Sequence, residues 1–254
     1  MSLEQLFIDK PKNILSIYYT AGYPNLEDTV PMLEVLQKNG VDLIELGMPF
    51  SDPLADGPTI QNSSLEAINN GMTVKKLFEQ LENFREKVTV PVILMGYMNT
   101  VLQYGFEAFC EDAASVGING LILPDMPKYE FEKTYKAVIE KHGLKFIFLV
   151  TPETSVERVL ELDKLSSGFI YAVSSSSTTG TDKDMDLVKN YLQKLNSLNL
   201  KNPVVVGFGI KDKESFNDAS EYANGAIIGS AFVKQISSAK DRFQDAEAFI
   251  KSLF

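Results

Sequence analysis

Eight short apolar stretches, separated by segments of helical character, constrain this chain more than any other feature. They fall at 13–19 (NILSIYY), 41–47 (VDLIELG), 91–97 (PVILMGY), 120–124 (GLILP), 145–151 (KFIFLVT), 169–174 (FIYAVS), 203–207 (PVVVG) and 225–229 (GAIIG). Helices are predicted between and after them, over 25–38, 62–70, 73–88, 106–116, 129–141, 155–165, 186–198, 212–222 and 241–252. Asn25 opens the first and Gly40 closes it; Ser155 caps another, with Glu157 in its first turn. Leu77, Leu81 and Phe84 share one face of 73–88. Strands that are apolar on both faces are covered on both faces, as in a parallel sheet. Eight such units in 254 residues fit a closed (β/α)8 barrel. A doubly wound open sheet is the alternative, but no GxGxxG follows the first strand. No Pro/Gly/Ser-rich linker divides the chain, so one domain spanning 1–254 is expected.

Composition narrows the partners. The formal charge is -10, which argues against nucleic acid, whose phosphates need clustered Lys and Arg. It leaves room for a small phosphorylated ligand, because backbone N–H groups alone hold a phosphate. The single cysteine, Cys110, rules out an internal disulfide and reads as a small buried hydrophobe on a helix. The chain opens with no basic segment leading an apolar core, and no apolar run approaches the roughly 20 residues of a membrane span. A cytoplasmic protein without a membrane partner is expected. The only histidine, His142, sits beside Gly143 at a helix end. No His/Cys/Asp/Glu cluster has metal-ligand spacing, so no metal is expected. Lys183 and Lys211 are loop residues, and no lysine lies at a strand end. Schiff-base and metal-dependent aldol chemistry are therefore disfavoured.

In barrels of this kind the site lies at the C-terminal ends of the strands. Those ends carry Tyr18 and Thr20, Glu45 with Asp52 and Asp56 on the loop after it, Tyr97 and Asn99, Asp125, Tyr171, and then Gly207-Phe208-Gly209 and Gly229-Ser230. Glycines at the last two ends, with Gly180 after a Ser/Thr run, suit a phosphate site at a helix N-terminus; tight turns are the alternative explanation. Glu45 stands out more sharply. By strand parity Leu43, Glu45 and Gly47 face one way and Ile44 and Leu46 the other. A carboxylate facing the barrel interior must be paired, protonated or functional. Burial raises its pKa toward the range useful for proton transfer; a structural carboxylate bound to a neighbour is the competing reading. Asp56, on a loop, carries no such signal alone. Tyr18, Tyr97, Tyr171 and Phe208 supply aromatic walls.

The stretch 45–61, ELGMPFSDPLADGPTIQ, resembles the signature of the tryptophan synthase α-subunit family. The resemblance extends through YTAGYP at 19–24, PVILMGYMN at 91–99, PDMP at 124–127, TTG at 178–180, GFGI at 207–210 and GSA at 229–231. It implies cleavage of indole-3-glycerol phosphate to indole and glyceraldehyde 3-phosphate. It further implies that Glu45 moves protons, that Asp56 accepts the indole N–H, and that Tyr171 positions Glu45 or substrate. Tyr18, Tyr97, Thr179 and Phe208 are then substrate-binding, and Gly180, Gly209, Gly229 and Ser230 bind phosphate. Pro49, Asp52 and Asn99 match positions that meet a β subunit, with an αββα assembly and pyridoxal phosphate held in that partner, not in this chain. One stretch departs from the pattern: 174–180 reads SSSSTTG, with Ser175 and Ser177 where the family commonly has arginine and glycine. A looser loop in the free subunit is the expectation there. The rival readings are another phosphate-binding barrel enzyme, an α-like chain kept only to activate its partner, and a stand-alone indole-releasing lyase.

Overall fold

The structure, a computed structural model, describes residues 1–53, 55–173, 185–207, 209–237 and 241–254. Nine strands are described: β1 (Ile14–Thr20), β2 (Leu43–Gly47), β3 (Val92–Met95), β4 (Gly120–Ile122), β5 (Lys145–Phe146), β6 (Leu149–Val150), β7 (Ile170–Val173), β8 (Val204–Gly207) and β9 (Gly225–Ile228). All pairs are parallel, in the order β5-β4-β3-β2-β1-β9-β8-β7-β6. The two ends of that order are consecutive in the chain. The apolar stretch expected at 145–151 is split, so β5 pairs with β4 and β6 pairs with β7, and one continuous segment closes the ring. The (β/α)8 barrel anticipated from the sequence is the fold observed.

The split has a local cause. Ile147 keeps the ladder, donating its N–H to Leu121 O at 3.0 Å, while the N–H groups of Phe146 and Phe148 go to the hydroxyls of Ser167 and Ser166, each at 3.0 Å. Side-chain acceptors thus replace part of the strand ladder and satisfy these buried donors.

Strand parity sorts the apolar side chains into two layers. Ile14, Leu43, Ile93, Ile122, Phe169, Tyr171, Val205 and Ile227 fill the barrel interior. Leu15, Ile17, Ile44, Leu46, Val92, Leu94, Leu121, Ala172 and Val206 face outward to the helices. The N-terminal helix Leu3–Asp9, which sequence periodicity did not reveal, inserts Leu3, Leu6 and Phe7 into the interior layer. Other boundaries move as well. The helix expected at 62–70 begins earlier, at Pro58, where proline suits the first helical position. The one expected at 73–88 stops at Gln80, because Asn83 turns left-handed at φ 63° before a short 3-10 turn at Phe84–Glu86. Two further helices, Met98–Tyr104 and Ser230–Ser237, precede those expected in their regions. Cys110 is buried, as expected, and burial pushes its thiol up to about 12. His142 caps Lys136–Lys141. Among the described residues no helix is long and apolar enough to cross a membrane, and no group of His, Cys, Asp and Glu is placed to hold a metal ion.

Candidate active site

Glu45 sits midway along β2, fully buried and facing the interior as parity requires. Its Oε1 accepts a hydrogen bond from the Ser16 hydroxyl on the neighbouring strand at 3.0 Å. Its Oε2 is buried with no hydrogen-bond partner among the described residues. Burial pushes the carboxyl up to about 8, and the Ser16 hydrogen bond only partly opposes this. At neutral pH such a group holds its proton yet releases it readily, which suits an acid that must also act as a base.

Asp56 arrives from the loop after β2. Its Oδ2 accepts from the Tyr97 hydroxyl at 3.1 Å, and that hydroxyl in turn accepts the Ala55 N–H at 3.1 Å. Burial raises Asp56 above its ordinary value while the Tyr97 hydrogen bond holds it down. Phe50 stacks on Tyr97, centroids 5.2 Å apart, so the loop is gripped on both sides of Asp56. Gln61, in the first turn of Pro58–Asn69, donates to the Asp56 backbone carbonyl at 2.8 Å.

Tyr18 and Tyr171 close over the carboxylates. A Cβ at Gly47 would lie 2.1 Å from the Tyr18 hydroxyl oxygen, and one at Gly207 would lie 2.2 Å from that of Tyr171. Only glycine leaves room for these rings at the tops of β2 and β8. Both phenols are raised, Tyr171 by burial first and then by the charges of Glu45 and Asp56, Tyr18 by burial and then by Asp56. The structure therefore brings Glu45, Asp56, Tyr18, Tyr97 and Tyr171 to one place, the C-terminal mouth of the barrel.

The turn after β9 lies beside it. A Cβ at Gly229 would stand 3.5 Å from the Cβ of Tyr18. Gly229 leads directly into helix Ser230–Ser237, whose bond from Val233 N–H to Gly229 O, 3.0 Å, leaves the earlier N–H groups outside the helical ladder and available to an anion. Gly209 is exposed with φ 78°, a conformation that glycine adopts without strain. Thr179, Gly180, Phe208 and the serine-rich stretch at 174–178 lie outside the described residues. Pro49 and Asp52 lie on the loop after β2, and Asn99 in the first turn of helix Met98–Tyr104. Pro49 is half-buried, and Asp52 and Asn99 are exposed. Helix Met98–Tyr104 is fixed there by Asp125 of the PDMP turn, which accepts the Met98 N–H at 2.9 and 3.1 Å.

Sequence reasoning did not find Ser16, Phe50 or the capping role of Asp125. Ser16 carried a faint signal: a small polar residue two positions before Tyr18, on the same face of an apolar strand. The aromatic expectation for Tyr97 was incomplete, because its hydroxyl binds Asp56.

Comparisons with known proteins show the family. The family described as tryptophan synthase alpha chain matches residues 6–253. The chain is 58% identical to the tryptophan synthase alpha chain of Flavobacterium johnsoniae over 231 residues, 91% of each chain, and 49% identical to that of Bacteroides thetaiotaomicron over 94% of each. Among solved structures it is similar to the tryptophan synthase alpha subunit of Legionella pneumophila, with a TM-score of 0.89 and 37% identity over 99% of this chain and 94% of that one. It also resembles a chain of tryptophan synthase from M. tuberculosis, with a TM-score of 0.87 and 30% identity over 100% and 98% of the two chains. With the signature stretch folded around a buried glutamate at the barrel mouth, this chain belongs to the tryptophan synthase alpha chain family.

Proposed function

We propose that the chain cleaves indole-3-glycerol phosphate to indole and glyceraldehyde 3-phosphate, a carbon–carbon lyase reaction by retro-aldol chemistry. The observation that carries this reading is Glu45: a buried carboxyl inside the barrel, one oxygen held by Ser16 and the other open, poised at about 8. An indole C3 carbanion is a poor leaving group. The protonated Glu45 therefore gives its proton to C3, and the substrate becomes an indoleninium. Asp56, ionised, accepts the ring N–H and stabilises the positive charge that develops there. The carboxylate left on Glu45 then takes the proton of the side-chain hydroxyl as the bond to C3 breaks. Its electron pair returns to the ring, the hydroxyl carbon becomes the aldehyde, and Glu45 is protonated again. Two acids thus share the work: Glu45, which burial holds protonated, moves the proton, and Asp56, bound by the Tyr97 hydroxyl, takes the ring N–H.

Tyr171 positions Glu45 or the substrate; Tyr18, Tyr97, Thr179 and Phe208 enclose the ring; Gly180, Gly209, Gly229 and Ser230 receive the phosphate. Pro49, Asp52 and Asn99 meet a β subunit, to which indole passes within an αββα assembly. Pyridoxal phosphate belongs to that partner, and the steps above need no cofactor in this chain. The site works in the cytoplasm as part of one barrel domain.

The test is indole release from indole-3-glycerol phosphate by the purified chain, with and without its cognate β subunit, beside Glu45→Gln. Weak activity alone, a rise with the β subunit and loss of at least about 10²-fold in the variant are expected, the scale of a missing general acid–base. No turnover even with the β subunit bound would overturn the reading.

A further inference from the structure

Ser16 puts a hydroxyl among aliphatic side chains in the barrel interior. It is 0% exposed, and its register partners are Leu43 on β2 and Ile227 on β9, both in the interior apolar layer. A buried hydroxyl costs free energy unless it is hydrogen-bonded, so packing alone gives no reason for a serine there. Among the described residues its side chain makes one hydrogen bond, donated to Glu45 Oε1 at 3.0 Å.

Register gives that bond a direction. Tyr18 stands opposite Glu45, whereas Ser16 stands opposite Leu43, two positions nearer the N-terminal ends of the strands. The Glu45 carboxyl therefore reaches back along the barrel to Ser16 with Oε1. Its Oε2 is buried with no hydrogen-bond partner among the described residues, and is the oxygen left for a substrate entering from the C-terminal mouth. The two oxygens are thus unequal. A Ser16 proton turned away from Oε1 stays unpaired in a sealed layer, while a carboxyl proton on Oε2 meets its partner when substrate arrives. The other neighbours of Glu45 do not compete for Oε1. Tyr18 from β1 and Tyr171 from β7 are the titratable groups that feel its charge, together with that of Asp56 on the loop after β2, and burial keeps both phenols protonated through the neutral range. Ile93 on β3, in register with Glu45, and Val205 on β8 are apolar.

We infer that Ser16 is a positioning residue that divides the two oxygens of Glu45, holding Oε1 as a fixed acceptor so that Oε2 alone gives and recovers the proton of the reaction. The inference rests on the proposed cleavage of indole-3-glycerol phosphate. The O–H bond at Oε2 breaks as the new C–H bond forms at C3. The O–H bond of the substrate hydroxyl then breaks and its proton returns to Oε2. The electron pair of that bond forms the aldehyde C=O, and the pair of the broken C–C bond returns to the ring. The Ser16 bond to Oε1 persists throughout and is strongest between the two steps, when Glu45 is charged. Ser16 touches no substrate; it acts through Glu45.

The experiment measures kcat and KM for indole-3-glycerol phosphate as a function of pH in complex with the cognate β subunit, for Ser16→Ala and Ser16→Thr beside wild type. Urea melts of each chain over the same pH range check folding and read the Glu45 titration without turnover. Ser16→Ala is expected to lower the plateau kcat about three- to tenfold, the scale of one hydrogen bond, with KM within about twofold. The Ser16 bond lowers the Glu45 value, so its loss raises it. The alkaline limb of kcat/KM therefore moves up by about half to one pH unit in Ser16→Ala, and the pH at which the stability loss is complete moves up with it. Ser16→Thr keeps the hydroxyl and returns both to wild-type positions. An unmoved limb in Ser16→Ala, a plateau kcat equal to wild type, or an equal shift in Ser16→Thr overturns the inference while the cleavage reaction stands. A wild-type complex with no turnover refutes the proposed function itself, and this inference with it.

Discussion

Glu45 costs the fold something, and the sign of that cost depends on pH. Its ordinary value is 4.5 and its folded value is about 8. Below pH 4.5 both folded and unfolded chains hold the proton and no penalty arises. As pH rises toward 8 the unfolded chain ionises while the folded one does not, so stability falls, and above 8 the loss is complete. A gap of this size amounts to on the order of 5 kcal/mol, at about 1.4 kcal/mol per pH unit. Glu45→Gln keeps an oxygen for Ser16 and removes the titration. Its stability advantage over the wild-type chain is expected to grow between pH 5 and pH 8 in urea melts; an advantage that stays flat across that interval contradicts the buried titration. The reaction uses the same proton, so kcat/KM should fall as pH rises through about 8. Glu45 was legible in the sequence because strand parity turns one acid among Leu43, Ile44 and Leu46 into a statement about burial. Asp56 was not legible without the family resemblance, because a loop residue's burial depends on what grips the loop. Ser16 left only a faint mark for a related reason: a hydroxyl's role is fixed by inter-strand register, which the local pattern barely shows.

At the scale of elements, the apolar strands were read almost to their ends, while helices were missed where their signal is short or broken. Leu3–Asp9 and Met98–Tyr104 are only 7 residues each, too brief for periodicity to rise above the surrounding chain. The helix expected at 129–141 contains a π-helical turn at Phe131–Tyr135, and such a shift moves every later side chain around the axis. The split of the fifth strand was likewise unreadable, since it depends on Ser166 and Ser167 arriving from the far end of a helix. The glycines at strand ends were noticed as phosphate candidates, yet Gly207 has a different task. It ends β8 on the inner face and leaves room for the Tyr171 phenol. Gly207→Ala forces a methyl into the space of that hydroxyl, and a tyrosine ring fixed by burial has little freedom to swing aside. The barrel is expected to fold, with a melting transition lowered by overpacking worth about 1–3 kcal/mol. Indole release should drop about tenfold or more, because a misplaced positioning group costs rate steeply. A Gly207→Ala chain with wild-type kcat/KM would show that Tyr171 does not need its observed position.

Taken whole, the barrel divides its labour along its axis. The carboxylates, the tyrosines and the Gly229–Ser230 turn occupy the C-terminal mouth, where loops are free to differ without opening the ring. The opposite end is closed by Leu3, Leu6 and Phe7, buried to 1%, 3% and 8% exposure among Ile14, Leu43, Ile93, Ile122 and Phe169. Phe7 and Phe169 meet there with centroids 6.0 Å apart. None of these floor residues forms a hydrogen bond through its side chain, so their contribution is burial and close packing alone. Truncating one leaves a cavity that the rigid strand ends do not collapse to fill. Leu3→Ala and Phe7→Ala are each expected to destabilise the chain by about 2–5 kcal/mol. The mouth lies at the other end of the strands, with the interior layer intact between. At a temperature where both variants remain folded, KM and kcat for indole-3-glycerol phosphate should therefore stay within about twofold of wild type, since distant, uncoupled sites act independently. Denaturant melts and steady-state kinetics on the same preparations decide it. A floor variant that keeps its stability argues that the helix Leu3–Asp9 is only laid against the barrel. One that stays folded yet loses activity argues that floor and mouth are coupled through the interior side chains, with Ile93 and Phe169 the first links to examine.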